Sequence, residues 1–150
     1  MGWLKNYPIP EYQLGFLLTG LALHFWDDTS TVLTTNLAST VLGGVIIAIS
    51  ALISVWSATS FGDEAMANPG TLRASGPYRY SRNPMYLSWL LATVGIGLML
   101  GSWWLCGASL IAAGVTQLRV ISDEEKILVN RFGVNYETYR DRTPRWFWPF

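Results

Sequence analysis

The sequence predicts an all-α, polytopic membrane protein with about four transmembrane helices, a helical hairpin and a cytoplasmic C-terminal helical segment. Three observations predict it. Apolar residues make up 51% of the 150 positions and charged residues only 13%, against roughly 25% charged in an average soluble domain. Charge is missing from 15 consecutive residues between Glu11 and Asp27, 34 between Asp28 and Asp63, and 36 between Arg82 and Arg119. A membrane-crossing helix needs about 20 apolar residues. Third, the ten Lys and Arg residues fall in segments that four crossings bring to one side of the bilayer.

The first span is read at Gln13 to Trp26. It is short and carries His24, so an interfacial or re-entrant helix is the alternative there. Leu37 to Trp56 gives a second span of full length. The third charge-free stretch is too long for one crossing, because 36 helical residues would reach roughly 54 Å against a hydrocarbon core of about 30 Å. It must fold back, and Gly101-Ser102 is the natural turn, leaving Pro84 to Leu100 and Trp103 to Leu118 as a hairpin. Gly97 and Gly101, and likewise Ser54 and Ala58, have the four-residue spacing that permits close helix contact. Trp26, Trp56, Trp89, Trp103 and Trp104 fall near span ends, where indole rings favour the interface.

Basic residues accumulate on the cytoplasmic side of short loops, which sets the orientation. Lys5 precedes the first span, Arg73, Arg79 and Arg82 lie between the second and third, and the remaining six follow the fourth. Both termini are then cytoplasmic. The N-terminus, with one Lys and with Pro8 and Pro10, lacks the pattern of a secretory signal. A net charge of zero removes any electrostatic case for a nucleic-acid partner. The single cysteine, Cys106, cannot form an internal disulfide or a cysteine metal cluster and reads as a small buried apolar residue. No repeat or long linker interrupts the chain, so residues 1–150 read as one membrane domain.

The residues capable of chemistry sit in two cytoplasmic blocks, 61–86 and 119–146. In the first, Gly76-Pro77 reads as a turn, and Asn83-Pro84 as a helix start, with Asn83 the N-cap and Pro84 the first helical residue. That puts a positive helix end beside Arg82, a corner suited to an anion; the alternative is a basic topology anchor with interfacial tyrosines. The second block continues the fourth span as a helix to a stop at Gly133 and carries Asp123, Glu124 and Glu125 on its first cytoplasmic turns. The alternative for this run is a solvated face with Arg119 and Asp123 paired at i, i+4. Beyond it, Asn135 is positioned to cap a short helix through Arg142 that bears Tyr136 and Tyr139, and Pro144 ends it before Trp146-Phe147-Trp148. An Arg with a helix N-terminus on one side and a Glu pair on the other suit a ligand that carries both carboxylate and cationic groups. S-adenosylmethionine is one such ligand, since its sulfonium can also rest on aromatic faces; phosphate-bearing nucleotides are others.

The ordered motifs from Asn68 to Trp146 resemble those of the isoprenylcysteine carboxyl methyltransferase and phospholipid methyltransferase superfamily. The carriers are Leu72, Gly76-Pro77-Tyr78, Arg82-Asn83-Pro84 and Tyr86, then the hairpin, Glu124-Glu125, Phe132-Gly133, Tyr136, Tyr139 and Pro144-Arg145-Trp146. Asn83 stands where the isoprenylcysteine enzymes have His, and Ser88 where a Gly is common, so the resemblance is to the short prokaryotic branch. It implies S-adenosylmethionine-dependent methyl transfer, O- or N-, to a lipophilic or lipidated acceptor at the membrane, with no metal. It also implies cofactor contacts from Gly76, Pro77, Tyr78, Arg82, Asn83, Pro84, Tyr86, Glu124, Glu125, Tyr136 and Tyr139, and acceptor orientation by Arg82, Arg79 and Tyr86. His24 lies outside the matching motifs and reads as a packing residue. An NADPH-binding membrane reductase relative and a non-catalytic four-helix scaffold are the alternatives from other classes.

Overall fold

A computed structural model describes residues 10–27, 35–60 and 70–147. Lys5, Pro8, Asp28, the start of the first polar block at residues 61–69, and Trp148 lie outside the described residues. Those described form five helices and no strand: α1 Glu11–Trp26, α2 Leu37–Thr59, α3 Pro84–Leu100, α4 Trp103–Phe132 and α5 Val134–Arg142. A single 3₁₀ turn, Gly76–Arg79, precedes α3.

Helix α1 begins directly after Pro10, whose fixed φ and missing N–H suit the residue outside a first turn. At the start of α2 a capping box closes the helix: Ser39 N–H donates to Asn36 Oδ1 at 2.8 Å and Asn36 N–H donates to Ser39 Oγ at 3.0 Å. Only 11% of the apolar window of α2 is buried inside the protein. Val41, Val45, Ile49 and Leu52 therefore present a continuous apolar surface outward, which water disfavours and lipid does not. α2 and α4 are long and apolar enough to cross a membrane. α3 is apolar but has 17 residues and α1 has 16, reaching roughly 24–26 Å.

The inner face of α2 packs on α3 at glycines that sequence spacing did not single out. A Cβ built on Gly43 would lie 2.6 Å from the Gly95 carbonyl oxygen, and one on Gly95 would lie 2.8 Å from that of Gly43. The two backbones touch there, and van der Waals contact replaces the hydrophobic drive that lipid cannot supply. Ser50 Oγ donates to the Ser88 carbonyl at 2.7 Å in the same seam. Gly101, with φ +63°, makes the hairpin turn into α4, and Ser102 N–H returns to the Gly97 carbonyl at 2.8 Å. Gly97 faces Leu105 across the hairpin, so of the Gly97/Gly101 pair one residue packs and the other turns the chain. Across the α1–α4 contact, Gly20 lies against Leu105 and Ala108, while Trp104 Nε1 donates to Asp27 Oδ2 at 3.0 Å.

The fourth predicted span continues unbroken to Phe132, with one irregularity. Thr116–Val120 is wound as a π turn, in which Ile121 N–H donates to the Thr116 carbonyl five residues back. Past Leu118 the helix becomes polar. Gly133, with φ +52°, ends it and starts α5. Asn135 is therefore inside α5 rather than its cap, because the left-handed glycine turn leaves no extended residue between the two helices. Pro144 does follow the end of α5, two residues after Arg142.

Candidate functional site

The two polar blocks are joined by the chain's last described turn. Ser81 Oγ and Asn83 Nδ2 both donate to the Arg145 carbonyl, at 2.9 and 3.0 Å, and Arg82 N–H donates to the Pro144 carbonyl at 2.9 Å. Trp146 Nε1 anchors the far side to Gln117 Oε1 at 2.8 Å. Asn83 is the N-cap residue of α3, with Pro84 first in the helix, but its side chain accepts no helix N–H; its Nδ2 ties the helix start to this strap instead. Ser81 Oγ accepts from Asn83 N–H at 3.1 Å. Upstream, Gly76 takes φ +60°, and a Cβ added to it would collide with Ser60 Oγ at the end of α2, so the position excludes a side chain.

Beneath the strap lies an ionic centre. Arg82 Nη1 donates to Glu125 Oε1 at 2.6 Å, and Arg145 grips the same carboxylate bidentately through one edge, Nε to Oε1 at 2.9 Å and Nη2 to Oε2 at 2.7 Å. The side chains of Arg82 and Glu125 are only 11% and 15% exposed. Two cations on one carboxylate leave a net positive charge, and Arg82 Nε is buried with no hydrogen-bond partner. Burial pushes the Glu125 carboxyl up, but hydrogen bonds from Arg145 and the charge of Arg82 more than offset this and hold it below its ordinary value. Arg82 also reaches the hydroxyl of the buried Tyr136 at 3.3 Å.

Glu124 and Glu125 are neighbours in sequence but serve different partners, since consecutive helical residues point about 100° apart. Glu124 accepts from the Tyr86 hydroxyl. Asp123 turns outward and pairs with Lys126 at 2.7 Å, not with Arg119. Tyr139 donates its hydroxyl to the Tyr78 carbonyl at 2.6 Å, and burial pushes its pKa up.

A cavity of about 530 Å³ lies here between the start of α1, the start of α3, the second half of α4 and α5. That volume falls within the range of small-molecule sites, about 300–1,000 Å³. Of the residues singled out from sequence, Tyr78, Arg82, Asn83, Tyr86, Glu124, Glu125, Tyr136 and Tyr139 line it. Gly76, Pro77 and Pro84 do not; they set the turn and the helix start behind the wall. Arg79 is exposed and also outside the wall. The wall further includes Gln13, Arg73, Thr116 and Arg131, none of which sequence reasoning had placed there. Arg145 completes the ionic centre from the strap, and its signal was its place in the Pro-Arg-Trp end. No group of three His, Cys, Asp or Glu suited to a metal ion occurs among the described residues. Cys106 is half-buried within α4.

The family model for phospholipid methyltransferases matches residues 38–135, well over half of the 150. The chain belongs to that family. It lies in the isoprenylcysteine and phospholipid methyltransferase superfamily, whose members are membrane methyltransferases. No curated protein and no solved structure matches the chain. The phospholipid methyltransferase match begins one residue into α2 and ends just inside α5. The part of the cavity wall from α1, together with Tyr136, Tyr139 and Arg145, thus stands outside it.

Proposed function

We propose that this phospholipid methyltransferase family member uses S-adenosylmethionine to methylate a lipophilic acceptor, with the reaction centre at the cytoplasmic membrane surface. The observation that carries the reading is the convergence of Arg82, Tyr86, Glu124 and Tyr136 on one cavity that holds an unsatisfied buried donor. The donor set fits the cofactor. Arg82 Nε would take the carboxylate of its methionine portion, Glu124 would accept from its ribose diol, and the rings of Tyr86, Tyr136 and Tyr139 would face its positive charge. When bound, the cofactor supplies an electrophilic methyl group on a sulfonium.

The protein's own contribution is alignment and exclusion of water. Glu125, tied by Arg82 and Arg145, fixes α4 against the strap, so the Arg82 guanidinium is held before any ligand arrives. Methyl transfer to a carboxylate needs no base, whereas an ammonium acceptor must first lose a proton. Of the two arginines read as orienting residues, the cavity favours Arg82 over the exposed Arg79. A lipid acceptor suits this place because its tail partitions beside the outward apolar faces of the helices and concentrates its head group at the site.

The same reading has four spans, both termini and the site cytoplasmic, and residues 1–150 as one domain. Basic residues in the Arg73–Arg82 and post-Leu118 segments support it. Reporter fusions at Ser30 and after Phe150 should report opposite compartments; the same compartment from both contradicts four spans. For the cofactor, titration of detergent-solubilised protein should show micromolar S-adenosylhomocysteine binding and no NADPH binding. NADPH binding would favour a reductase, and binding of neither a scaffold.

A further inference from the structure

Gln13 is 2% exposed and belongs to the cavity wall. Its amide Nε2 donates to the Tyr86 carbonyl at 3.3 Å and to Thr116 Oγ1 at 3.4 Å, tying α1 to α3 and α4. The Tyr86 carbonyl can only accept, so it fixes which end of the amide is nitrogen. The other end, Oε1, is buried and has no hydrogen-bond partner. A buried acceptor left unsatisfied is costly, and a native protein retains one where something else completes it. Here the space in front of it is a ligand-sized cavity, and a carbonyl oxygen there can be completed only by a donor.

The position separates this acceptor from the ionic centre. Thr116 is nine residues before Glu125 on α4, roughly 13 Å along the helix, and it opens the π turn that shapes the wall. Charged groups of a ligand belong with Arg82 and Glu125, whereas Gln13 offers a neutral acceptor beside the Tyr86 carbonyl and Thr116, in a wall that also carries Glu11, Arg73 and Arg131. Helix α1 also lies outside residues 38–135, which the family model matches.

We propose that Gln13 Oε1 is a ligand-recognition point that accepts a hydrogen bond from an N–H donor of the molecule filling the cavity beside Thr116. The assignment rests on the proposed cofactor and acceptor site. An N–H donor has two sources there, the amine of the cofactor's adenine and the amine of a lipid head group. A head group whose nitrogen is fully methylated has no N–H and forgoes the bond.

The test measures binding to the full-length protein in detergent micelles with three probes: S-adenosylhomocysteine, phosphatidylethanolamine and phosphatidylcholine. Gln13→Met keeps the shape and removes the acceptor; Ser50→Ala removes a buried hydrogen bond between α2 and α3 outside the cavity wall and leaves Oε1 in place. Gln13→Met should lose at least about tenfold in affinity for one N–H probe while Ser50→Ala stays within about threefold. A loss confined to S-adenosylhomocysteine assigns the donor to the cofactor. Loss of a wild-type preference for phosphatidylethanolamine over phosphatidylcholine assigns it to the acceptor. Equal losses in both variants, or wild-type affinities in a folded Gln13→Met protein, overturn the assignment alone. Should Gln13→Met not fold, Gln13→Glu retains an acceptor oxygen and should bind the N–H probe no more weakly than wild type; weaker binding overturns the assignment. A wild-type protein that binds none of the probes overturns this assignment and the proposed site together.

Discussion

Glu125→Ala should destabilise the protein by about 2–4 kcal/mol, the largest effect expected of any single substitution at the site. The carboxylate accepts three charge-assisted hydrogen bonds from two arginines, and its removal leaves Arg82 and Arg145 facing each other with no counter-charge. Breaking a fully buried pair costs about 3–5 kcal/mol; the figure here is lower because the Arg145 side chain is 31% exposed. Thermal unfolding in detergent measures it. The tie is also pH-dependent, with a sign fixed by the lowered carboxyl. A group whose folded pKa is depressed adds stability above its ordinary value, near 4.5, and loses it as pH falls through the lower folded value. The stability gap between wild type and Glu125→Gln should therefore be constant at neutral pH and shrink below about pH 4.5. A gap that persists unchanged to pH 3 contradicts a stabilising ionised carboxylate.

Arg82→Ala should weaken S-adenosylhomocysteine binding by about 10–150-fold. That range is the loss of one charge-assisted hydrogen bond, about 1.5–3 kcal/mol. The fold should survive, because Arg145 alone still holds both Glu125 oxygens. Arg79→Ala, on the exposed side of the turn, should bind within about twofold of wild type. Equal effects of the two substitutions would mean that net basic charge, and not the cavity, governs affinity, and unchanged binding in both would return the arginines to a topological role.

The elements that local chemistry decides were legible in the sequence. Gly101 and Gly133 both take positive φ where a turn was read, and α3 begins at Pro84 and ends at Leu100 as its flanking residues required. The unbroken α4 followed from the absence of Gly and Pro after Leu118. What escaped depends on distant partners. Asn83 has the right identity and position for a cap, yet a carbonyl 62 residues away claims its amide. The division of labour between Glu124 and Glu125 follows from the rotation of α4 against α3, which no run of acidic residues reveals. Gln13 carries no local signal, since its importance arises only when α1 docks between Tyr86 and Thr116. The Gly43–Gly95 approach likewise needs two helices at once.

Methyl transfer itself can be followed by supplying the purified protein with membrane lipid extract and S-adenosylmethionine carrying a radiolabelled methyl group, then separating organic-extractable from water-soluble products. Label should enter the organic fraction and fall sharply with Arg82→Ala. Base-labile label identifies a carboxylate acceptor and base-stable label an amine head group. Label only in water-soluble products contradicts the lipophilic acceptor, and no label in any fraction at saturating cofactor contradicts methyl transfer to membrane lipid by this protein.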